Sequence, residues 1–451
     1  MIFMKYIPHL VRSCRRWHCS ATSVSVVFGI LFFASAGWNI FRISEQGYWY
    51  GFQKDSQSLV EVRMIDTERG LSPLQGGNLR QNVPFFQHRG ILDHELTKPY
   101  TSQFGLQGFV TAWITEAGIG PAVAWVRYHE IIVAALTCLT LALWVRWIGL
   151  EFNTAAAVLM ALGIFFAPLP ASMGRNLYWV PFTFYLPVLA ACFGASRWLR
   201  NEQSADSFAS VLRSRWVWLA VPLFVLVKCL CGYEYLSNLV LGCAVPFLYL
   251  GMREGLPFWK KIVPSCALVC ALACTGFFVA FAIHLVFVTK VVLPDGGGFS
   301  AVMERISSNT IMPAHPMFQE MHGVKLYTML IMKYLVVDAV DVGIKIPFGR
   351  GDFYFFKATY QGILAMLGLY TAGVYLSGKY QDQKVHAALW TALISWGLSF
   401  SWLFLAKGHQ HHFHLNNWMF WLYAMPLTFA CFGQALSIRS LPASETRVGA
   451  T

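Results

Sequence analysis

The chain has 451 residues, of which 56% are hydrophobic and only 12% are charged, and its mean hydropathy is +0.51. Soluble globular domains carry about 25% charged residues, so this composition excludes a soluble protein and indicates one embedded in a membrane. The formal net charge of +12 does not call for a nucleic-acid partner, and none is predicted. Much of this charge lies in short loops between apolar segments, where membrane orientation explains it.

Ten apolar segments are predicted to cross the membrane. A spanning helix needs roughly 20 predominantly apolar residues, and in lipid only helices or closed barrels satisfy their backbone hydrogen bonds. The sequence therefore predicts an all-α polytopic membrane protein with a single domain over residues 1–437 and a short tail at 438–451. The predicted spans are about 22–42, 121–144, 154–170, 177–196, 216–232, 235–251, 263–289, 358–377, 386–406 and 416–437.

Basic residues concentrate in the connections on one side of these ten spans. They occur in the N-terminal segment, in the tail, and in the connections 197–215, 252–262 and 378–385. The positive-inside rule makes this side cytoplasmic. The sequence thus predicts a multi-pass protein of the bacterial inner membrane with both termini in the cytoplasm.

Two long connections are predicted on the opposite, periplasmic side, at about 44–120 and 290–357. Both carry apolar residues at helical spacing among charges, which is typical of helices lying on a membrane surface. The residues that show this spacing are Leu59, Val62, Met64 and Ile65 in the first connection, and Val302, Met303 and Ile306 in the second. The glycines of Pro294–Gly298 predict a hinge, and the helix after it could act as a lid or serve as a simple connector.

Several charged and polar residues are predicted at membrane depth near the periplasmic face. Such residues are functional candidates, because their burial is unfavourable unless they are paired. A group of cations with a few carboxylates would fit the phosphate or diphosphate of an anionic lipid, although each residue alone could form a structural ion pair or extend to the interface. The group comprises Arg127, His129, Glu130, Arg175, Lys228, Glu234 and Tyr235.

A histidine-rich segment, Lys407–Asn416, precedes the last predicted span. Zinc sites normally add cysteine or carboxylate ligands, and this run has neither, so phosphate binding is favoured over metal binding. The start of a helix at the end of this run would supply backbone donors to an anion, and histidines can act as donors or partial cations. The candidate phosphate ligands are Lys407, His409, His412 and His414. No metal site is predicted, and a divalent ion is the less favoured alternative.

The start of the first long connection carries a recognisable arrangement. Asp55 follows the first span and precedes an amphipathic stretch, Ser56–Arg63, that closes at Gly70. This arrangement resembles the first outer loop of the GT-C fold glycosyltransferases, which are polytopic enzymes that use polyprenyl-phosphate sugars. Other segments look like outer-face motifs of bacterial members, and the type IV pilin arabinosyltransferases are the nearest group. These segments are Tyr100–Gly108, Arg175–Trp179, Gly232–Tyr235 and Lys407–Asn416.

The resemblance implies that Asp55 is the catalytic base. Many members have a second acid where this chain has Ser56, and often a tyrosine where it has Leu59. These departures keep Asp93 and Glu95 as further candidates for the base. Besides the histidine-rich segment, the candidates for binding the donor phosphate are Arg63, Arg175 and Lys228. The candidates for binding substrate are Tyr100, Gln103, Tyr178, Glu234, Tyr235 and Asn416.

The expected reaction is inverting transfer of a sugar from a polyprenyl phosphate to a hydroxyl group of a protein, such as a pilin, or of a glycan. It would require no cofactor. Two alternatives remain. A transporter or flippase for a lipid-linked sugar would need polar residues near the bilayer midplane and often shows an internal repeat. An O-antigen ligase or polymerase would use a lipid diphosphate instead.

Overall fold

Helices dominate the structure, as expected of a chain that must satisfy its backbone hydrogen bonds in lipid. The computed structural model of the chain describes residues 20–72, 77–82, 97–118, 122–202, 215–310, 323–345, 352–406 and 413–436. Within these residues, six helices are long and apolar enough to cross a membrane, and three shorter apolar helices accompany them. The predicted all-α polytopic membrane fold is confirmed.

The helices and strands follow one another along the chain in an order that matches the predicted spans. The first half contains α1 (Ala21–Trp38), α2 (Gln46–Gly51), α3 (Lys54–Glu68), β1 (Arg80–Asn82), β2 (Thr97–Pro99), α4 (Leu106–Glu116), α5 (Ala122–Glu151), α6 (Thr154–Phe165), α7 (Pro168–Met173), α8 (Phe182–Glu202) and α9 (Arg215–Cys231). The second half contains α10 (Leu236–Arg253), α11 (Val263–Phe287), α12 (Gly298–Thr310), α13 (Gly323–Leu335), β3 (Asp338–Lys345), β4 (Asp352–Thr359), α14 (Tyr360–Leu376), α15 (Gln383–Ser399), α16 (Ser401–Leu405), α17 (Phe413–Asn416), α18 (Trp418–Trp421) and α19 (Ala424–Leu436). Each of the ten predicted spans contains one or more of these helices. Single turns of π-helix, Phe258–Ile262 and Val288–Val292, flank α11.

The described part of the first long connection packs onto the helices of the bundle. Helix α3 buries Leu59, Val62 and Met64 inside the protein, where it packs against α4 and α5. The apolar side of α3 therefore faces the interior of the protein. Helix α4 approaches the chain before β1 so closely that a side chain at Gly108 would collide with the Asn78 carbonyl group. The first connection thus holds α3 rigidly against the spanning helices.

The second long connection contains an element that the sequence analysis did not predict. Strands β3 and β4 form an antiparallel hairpin from the pair Asp338–Thr359 to the pair Lys345–Asp352. Helix α12 exposes Phe299, Met303 and Ile306, as expected of a helix that lies on the membrane surface. Helix α13 instead buries Leu330, Tyr334 and Leu335, so this connection is anchored to the bundle through α13.

Alternate connections lie at two ends of the helix bundle. We call the end that carries the described residues of 39–118 and 288–359 the loop end, and the opposite end the turn end. Contacts between the termini of distant helices define the turn end: Arg253 Nη1 of α10 lies 2.8 Å from Glu151 Oε2 of α5, and Asn153 Nδ2 lies 2.8 Å from Gln434 Oε1 of α19. The connections 252–262 and 378–385, which carry basic residues, both lie at this end.

Candidate functional site

A buried carboxylate, Glu130, lies at the loop end in the third turn of α5. Three cations surround it: Arg175 Nη1 at 2.5 Å, Arg127 Nη1 at 2.9 Å and Lys54 Nζ at 3.6 Å. The Gln57 amide donates a further hydrogen bond of 2.9 Å to Glu130 Oε1. We call these five residues the Glu130 cluster.

Three separate parts of the chain meet in this cluster. Lys54 and Gln57 lie on the first turns of α3, Arg127 and Glu130 lie one turn apart on α5, and Arg175 lies between α7 and α8. Residues three apart on a helix face each other, so the pairing of Arg127 with Glu130 is local. The other contacts depend on how α3 and the 174–181 segment fold over the start of α5.

Arg175 is held on all sides. Its Nη2 atom donates a 2.9 Å hydrogen bond to the carbonyl oxygen of Trp49, and its guanidinium lies 3.8 Å from the centroid of the Trp49 ring. Burial lowers the pKa of Arg175, and the neighbouring Glu130 opposes this effect. The pairing with Glu130 therefore stabilises a buried arginine, which has little room to approach a ligand.

Two cations of the cluster are accessible. The side chains of Lys54 and Arg127 are 44% and 38% exposed, whereas those of Arg175 and Glu130 are 6% and 5% exposed. Glu61 also accepts from Lys54 at 3.2 Å, so three cations face two carboxylates and one positive charge remains. The sequence analysis included neither Lys54 nor Gln57 among the binding residues, whereas it placed Arg127 in the group of charged residues that would fit a lipid phosphate.

Asp55, the predicted base, lies in the first turn of α3 directly beside Lys54 and is exposed. Within the described residues, its carboxylate takes part in no hydrogen bond or ion pair. The start of a helix stabilises a negative charge, so Asp55 is a free carboxylate at the edge of the Glu130 cluster. The alternative bases, Asp93 and Glu95, lie outside the described residues.

Arg63, predicted to bind the donor phosphate, lies away from the Glu130 cluster. It is fully buried, and its Nη2 atom donates a 2.6 Å hydrogen bond to the carbonyl oxygen of Ser72. Burial and the neighbouring Arg80 lower the pKa of Arg63 to about 10, although Asp66 opposes the change. Arg63 thus connects α3 to the chain that follows it.

A second polar group at the loop end forms around Glu234. The Tyr178 hydroxyl lies 3.2 Å from Glu234 Oε1 and 3.3 Å from Gln103 Oε1, within hydrogen-bond reach of both. Lys228 Nζ lies 3.7 Å from Glu234 Oε2 and donates a 2.6 Å hydrogen bond to the carbonyl oxygen of Gly232. We call Gln103, Tyr178, Lys228 and Glu234 the Glu234 cluster. It brings together four residues that the sequence analysis proposed separately, and Tyr100, a fifth proposed residue, lies close to Tyr178.

The segment between α7 and α8 connects the two clusters. It places Arg175 in the Glu130 cluster and Tyr178 in the Glu234 cluster. Asn176 fixes this turn, because its Oδ1 atom accepts hydrogen bonds of 3.0 and 3.1 Å from the backbone N–H groups of Tyr178 and Trp179. One short turn therefore positions a cation and a hydroxyl group in neighbouring sites.

Tyr235 and Asn416, two predicted substrate ligands, belong to a third, closed group. The Tyr235 hydroxyl donates a 2.8 Å hydrogen bond to the carbonyl oxygen of Leu415, and Asn416 Nδ2 donates one of 2.7 Å to the Tyr334 hydroxyl. Tyr235 and Asn416 are almost completely buried. These contacts connect α13 of the second long connection to the start of the last helices.

The histidine-rich segment can be placed only in part. Lys407, His409 and His412 lie outside the described residues, as does the side chain of His414, whose backbone belongs to α17. Among the described residues, no group of three or more histidine, cysteine, aspartate or glutamate side chains is placed to hold a metal ion.

Buried polar atoms without a hydrogen-bond partner lie in and beside both clusters. They are Nε of Arg175, Nε2 of Gln103, Oε1 of Gln107 and Nε1 of Trp179. An unsatisfied buried polar group destabilises a protein by about 1–3 kcal/mol. A polar ligand or water at the loop end would supply the missing partners.

Comparison of the chain with protein-family models, with curated proteins and with solved structures finds no match. Its function is therefore proposed from its own residues.

Proposed function

We propose that this protein is a membrane glycosyltransferase that transfers a sugar from a polyprenyl-phosphate donor to an acceptor hydroxyl group at the loop end. One observation carries the proposal. Asp55, an exposed carboxylate without a partner among the described residues, adjoins Lys54, whose ammonium group lies 3.6 Å from Glu130 in a cluster with excess positive charge. A proton acceptor and a cation for a phosphate thus lie in the same first turn of α3, in the connection that follows the first span.

The proposed reaction is a single displacement. The acceptor oxygen attacks the anomeric carbon of the sugar while Asp55 takes the hydroxyl proton. The bond between the anomeric carbon and the phosphate oxygen breaks, and its electron pair leaves with the polyprenyl phosphate. In-line attack on a single face inverts the anomeric centre. Because the phosphate is already a good leaving group, this step needs neither a metal nor an organic cofactor.

The accessible cations stabilise the charge that develops on the leaving phosphate. Lys54 and Arg127 are suited to this role by their exposure, and both pair with the buried Glu130. Lys407, His409, His412 and His414 are proposed as further phosphate ligands on the basis of the sequence, because the last helices begin at the loop end.

We place the turn end in the cytoplasm and the loop end in the periplasm of a bacterial inner membrane. This orientation is supported by the basic residues of the turn end, and basic short loops face the cytoplasm. They include Arg253, Lys260, Lys261, Lys379 and Lys384. The acceptor, a pilin or another protein or a glycan, would then be modified in the periplasm.

The distribution of charge favours an enzyme over a transporter or flippase. In the described spanning helices, Asp, Glu, Lys and Arg residues lie towards a helix end, and the deepest of them at the loop end, Glu130, is in the third turn. A carrier binds its substrate near the bilayer midplane. A ligase or polymerase would share the proposed chemistry but would require a diphosphate donor.

The direct test is the variant Asp55→Asn, assayed as purified protein in vesicles that contain a polyprenyl-phosphate sugar. An amide cannot take the proton, so transfer should fall by about 10²–10⁴-fold. Asp382→Asn at the turn end is the matched control and should keep its activity, because asparagine caps a helix as well as aspartate does.

The remaining outcomes locate the base or reject the proposal. Loss of transfer in Asp93→Asn or Glu95→Gln, with full activity in Asp55→Asn, would place the base in residues 83–96. Full activity in all three variants would exclude base-catalysed glycosyl transfer by this loop.

A further inference from the structure

The Glu234 cluster differs from the Glu130 cluster in its charge. Lys228 is 2% exposed, and its ammonium group is engaged by Glu234, by the carbonyl oxygen of Gly232 and by the face of the Phe184 ring, whose centroid lies 4.3 Å away. The charges of Lys228 and Glu234 cancel, so the Glu234 cluster is neutral overall. Withdrawing Lys228 to bind a phosphate would leave Glu234 without its partner, which is unfavourable in a buried setting.

The hydrogen-bonding groups of the Glu234 cluster are mixed. Glu234 is partly exposed, and its carboxylate has four lone-pair positions. Gln103 is 4% exposed, and its amide nitrogen is a donor without a partner. The Tyr178 hydroxyl can donate and accept, and the indole nitrogen of the neighbouring Trp179 is a second donor without a partner.

A site that contains both hydrogen-bond acceptors and hydrogen-bond donors matches ligand groups that can both donate and accept hydrogen bonds. A sugar hydroxyl group donates one hydrogen bond and accepts two, so adjacent hydroxyl groups could engage Glu234 and Gln103 at the same time. A phosphate only accepts, and the Glu234 carboxylate would repel it. The buried donors on Gln103 and Trp179 would gain partners from a sugar without any new charge being buried.

We infer that the Glu234 cluster binds the hydroxyl groups of an uncharged sugar. This inference rests on the proposed function and deepens it: the Glu130 cluster holds the phosphate of the donor, and the Glu234 cluster holds a sugar. Lys228 then belongs to the sugar site, where it neutralises Glu234, and not to the phosphate site that the sequence analysis assigned to it. The turn at residues 174–181 sets the distance between the two sites, because it supplies Arg175 to one and Tyr178 to the other.

The absence of a side chain at Gly232 is a geometric requirement of this site. A Cβ atom there would collide with the Glu234 carboxylate and would lie 2.7 Å from Gln103 Oε1. A glycine therefore allows the acid and the amide to approach the same point from two parts of the chain. The sequence motif Gly232–Tyr235 contains both the acid and this space.

Direct binding to the purified protein tests the inference without an assay of transfer. Arabinose, galactose, glucose and N-acetylglucosamine, and separately inorganic phosphate, are titrated while the unfolding midpoint and tryptophan fluorescence are recorded. At least one monosaccharide should bind the wild-type protein. Gln103→Leu and Glu234→Gln should each raise its dissociation constant about 3- to 30-fold, as expected for a lost hydrogen bond, and should leave phosphate binding unchanged.

Two control variants are expected to behave differently: one weakens binding of phosphate but not of the monosaccharide, and the other weakens neither. Lys54→Gln should weaken phosphate binding and leave the monosaccharide unaffected. Tyr185→Phe changes a buried tyrosine of α8 outside both clusters and should affect neither ligand. The Tyr185 hydroxyl donates to the carbonyl oxygen of Trp421 at 3.3 Å. A cooperative unfolding transition of each variant without ligand shows that the variant is folded. If Glu234→Gln proves unstable, Gln103→Leu still tests the site, because it keeps the volume of the side chain.

The inference is overturned if no monosaccharide binds the wild-type protein, or if Gln103→Leu and Glu234→Gln bind it as the wild type does. It is also overturned if these variants weaken phosphate binding instead. Failure of the proposed function gives a different result, in which the monosaccharide responses are as expected but no sugar is transferred from a polyprenyl phosphate.

Discussion

The two ends of the helix bundle use the same types of residue in different ways. At the turn end, Arg253 pairs with Glu151 and with Glu254, each at 2.8 Å, and Glu151 also accepts a hydrogen bond from Ser196, so no positive charge is in excess in this group. At the loop end, three cations face two carboxylates, Glu130 and Glu61, and two of the cations, Lys54 and Arg127, remain accessible. The turn end is built for stability, whereas the loop end holds charge that is not needed for stability.

The unsatisfied polar atoms show the same contrast. Among the described residues near the turn end, the buried polar atoms without a partner are the indole nitrogens of Trp198 and Trp218. The corresponding residues near the loop end are Ser35, Trp49, Arg63, Asn78, Gln103, Gln107, His129, Arg175, Trp179, Asn238, Asn417 and Trp418. Since each such group opposes folding by about 1–3 kcal/mol, their concentration at one end indicates a site that retains unpaired groups for a ligand.

The contrast between the two ends requires that they face opposite sides of the membrane, and the topology of the chain tests this directly. Reporter fusions at Gly76, Gly297 and Gly408 should be periplasmic, and those at Ser204, Gly255 and Gln383 cytoplasmic. The effect is all or none, because a reporter is active on one side only. A cytoplasmic signal at Gly408 would remove the histidine-rich segment from the proposed site.

Loss of the central carboxylate should have the largest effect on stability. Glu130→Gln leaves Arg175 buried without a counter-charge and should lower the free energy of unfolding by about 3–5 kcal/mol. Glu151→Gln at the turn end removes a more exposed partner and should lower it by about 1 kcal/mol. Denaturant unfolding of both variants in detergent measures the difference. Equal losses would show that the two carboxylates have equivalent surroundings.

The histidine-rich segment gives an effect of intermediate size. Lys407→Ala and His414→Ala should each weaken use of the donor by about 1.5–3 kcal/mol, or roughly ten- to a hundred-fold, through the loss of a charge-assisted hydrogen bond. The wild-type enzyme should stay active in a strong chelator. Activity that is lost to chelator and restored by zinc would assign these histidines to a metal, which could itself hold a phosphate.

A helix cap at the turn end should give the smallest effect. The Asp382 carboxylate accepts hydrogen bonds from the backbone N–H groups of Lys384 and Val385 at 2.9 and 3.3 Å. Asp382→Ala should lower the free energy of unfolding by about 0.5–2 kcal/mol and leave the rate of transfer unchanged, when both are measured on the same preparation. Asp55→Ala should lower the rate of transfer and leave the free energy of unfolding nearly unchanged, because the Asp55 carboxylate stabilises no described contact.

The spanning helices could be predicted from the sequence, whereas the partners within the site could not. Apolar length alone determines a span, and each predicted span contains a helix. The hairpin of β3 and β4 was missed although the aromatic run of Asp352–Thr359 is typical of a strand. The meeting of Lys54 with Glu130, and of Gln103 with Glu234, depends on how the first connection folds over the helices. No spacing along the chain encodes these contacts.

The burial of individual residues was equally hidden from the sequence. Arg175 and Lys228 were predicted as phosphate ligands from their residue type. In the structure, Glu130 and Glu234 engage them and almost no solvent reaches them. Lys54 adjoins the predicted base, but only its exposure beside Glu130 distinguishes it as the accessible cation.

Binding of a sugar-free polyprenyl phosphate to the purified protein tests most directly whether the loop end is the working site. The lipid should raise the unfolding midpoint of the wild-type protein, since a ligand that binds only the folded state stabilises it. Lys54→Gln should remove most of this increase, and Lys260→Gln, which changes an exposed lysine of the turn end, should keep it. An equal loss in both variants, or an increase that survives Lys54→Gln and disappears in Lys260→Gln, would contradict the assignment of the phosphate to the loop end.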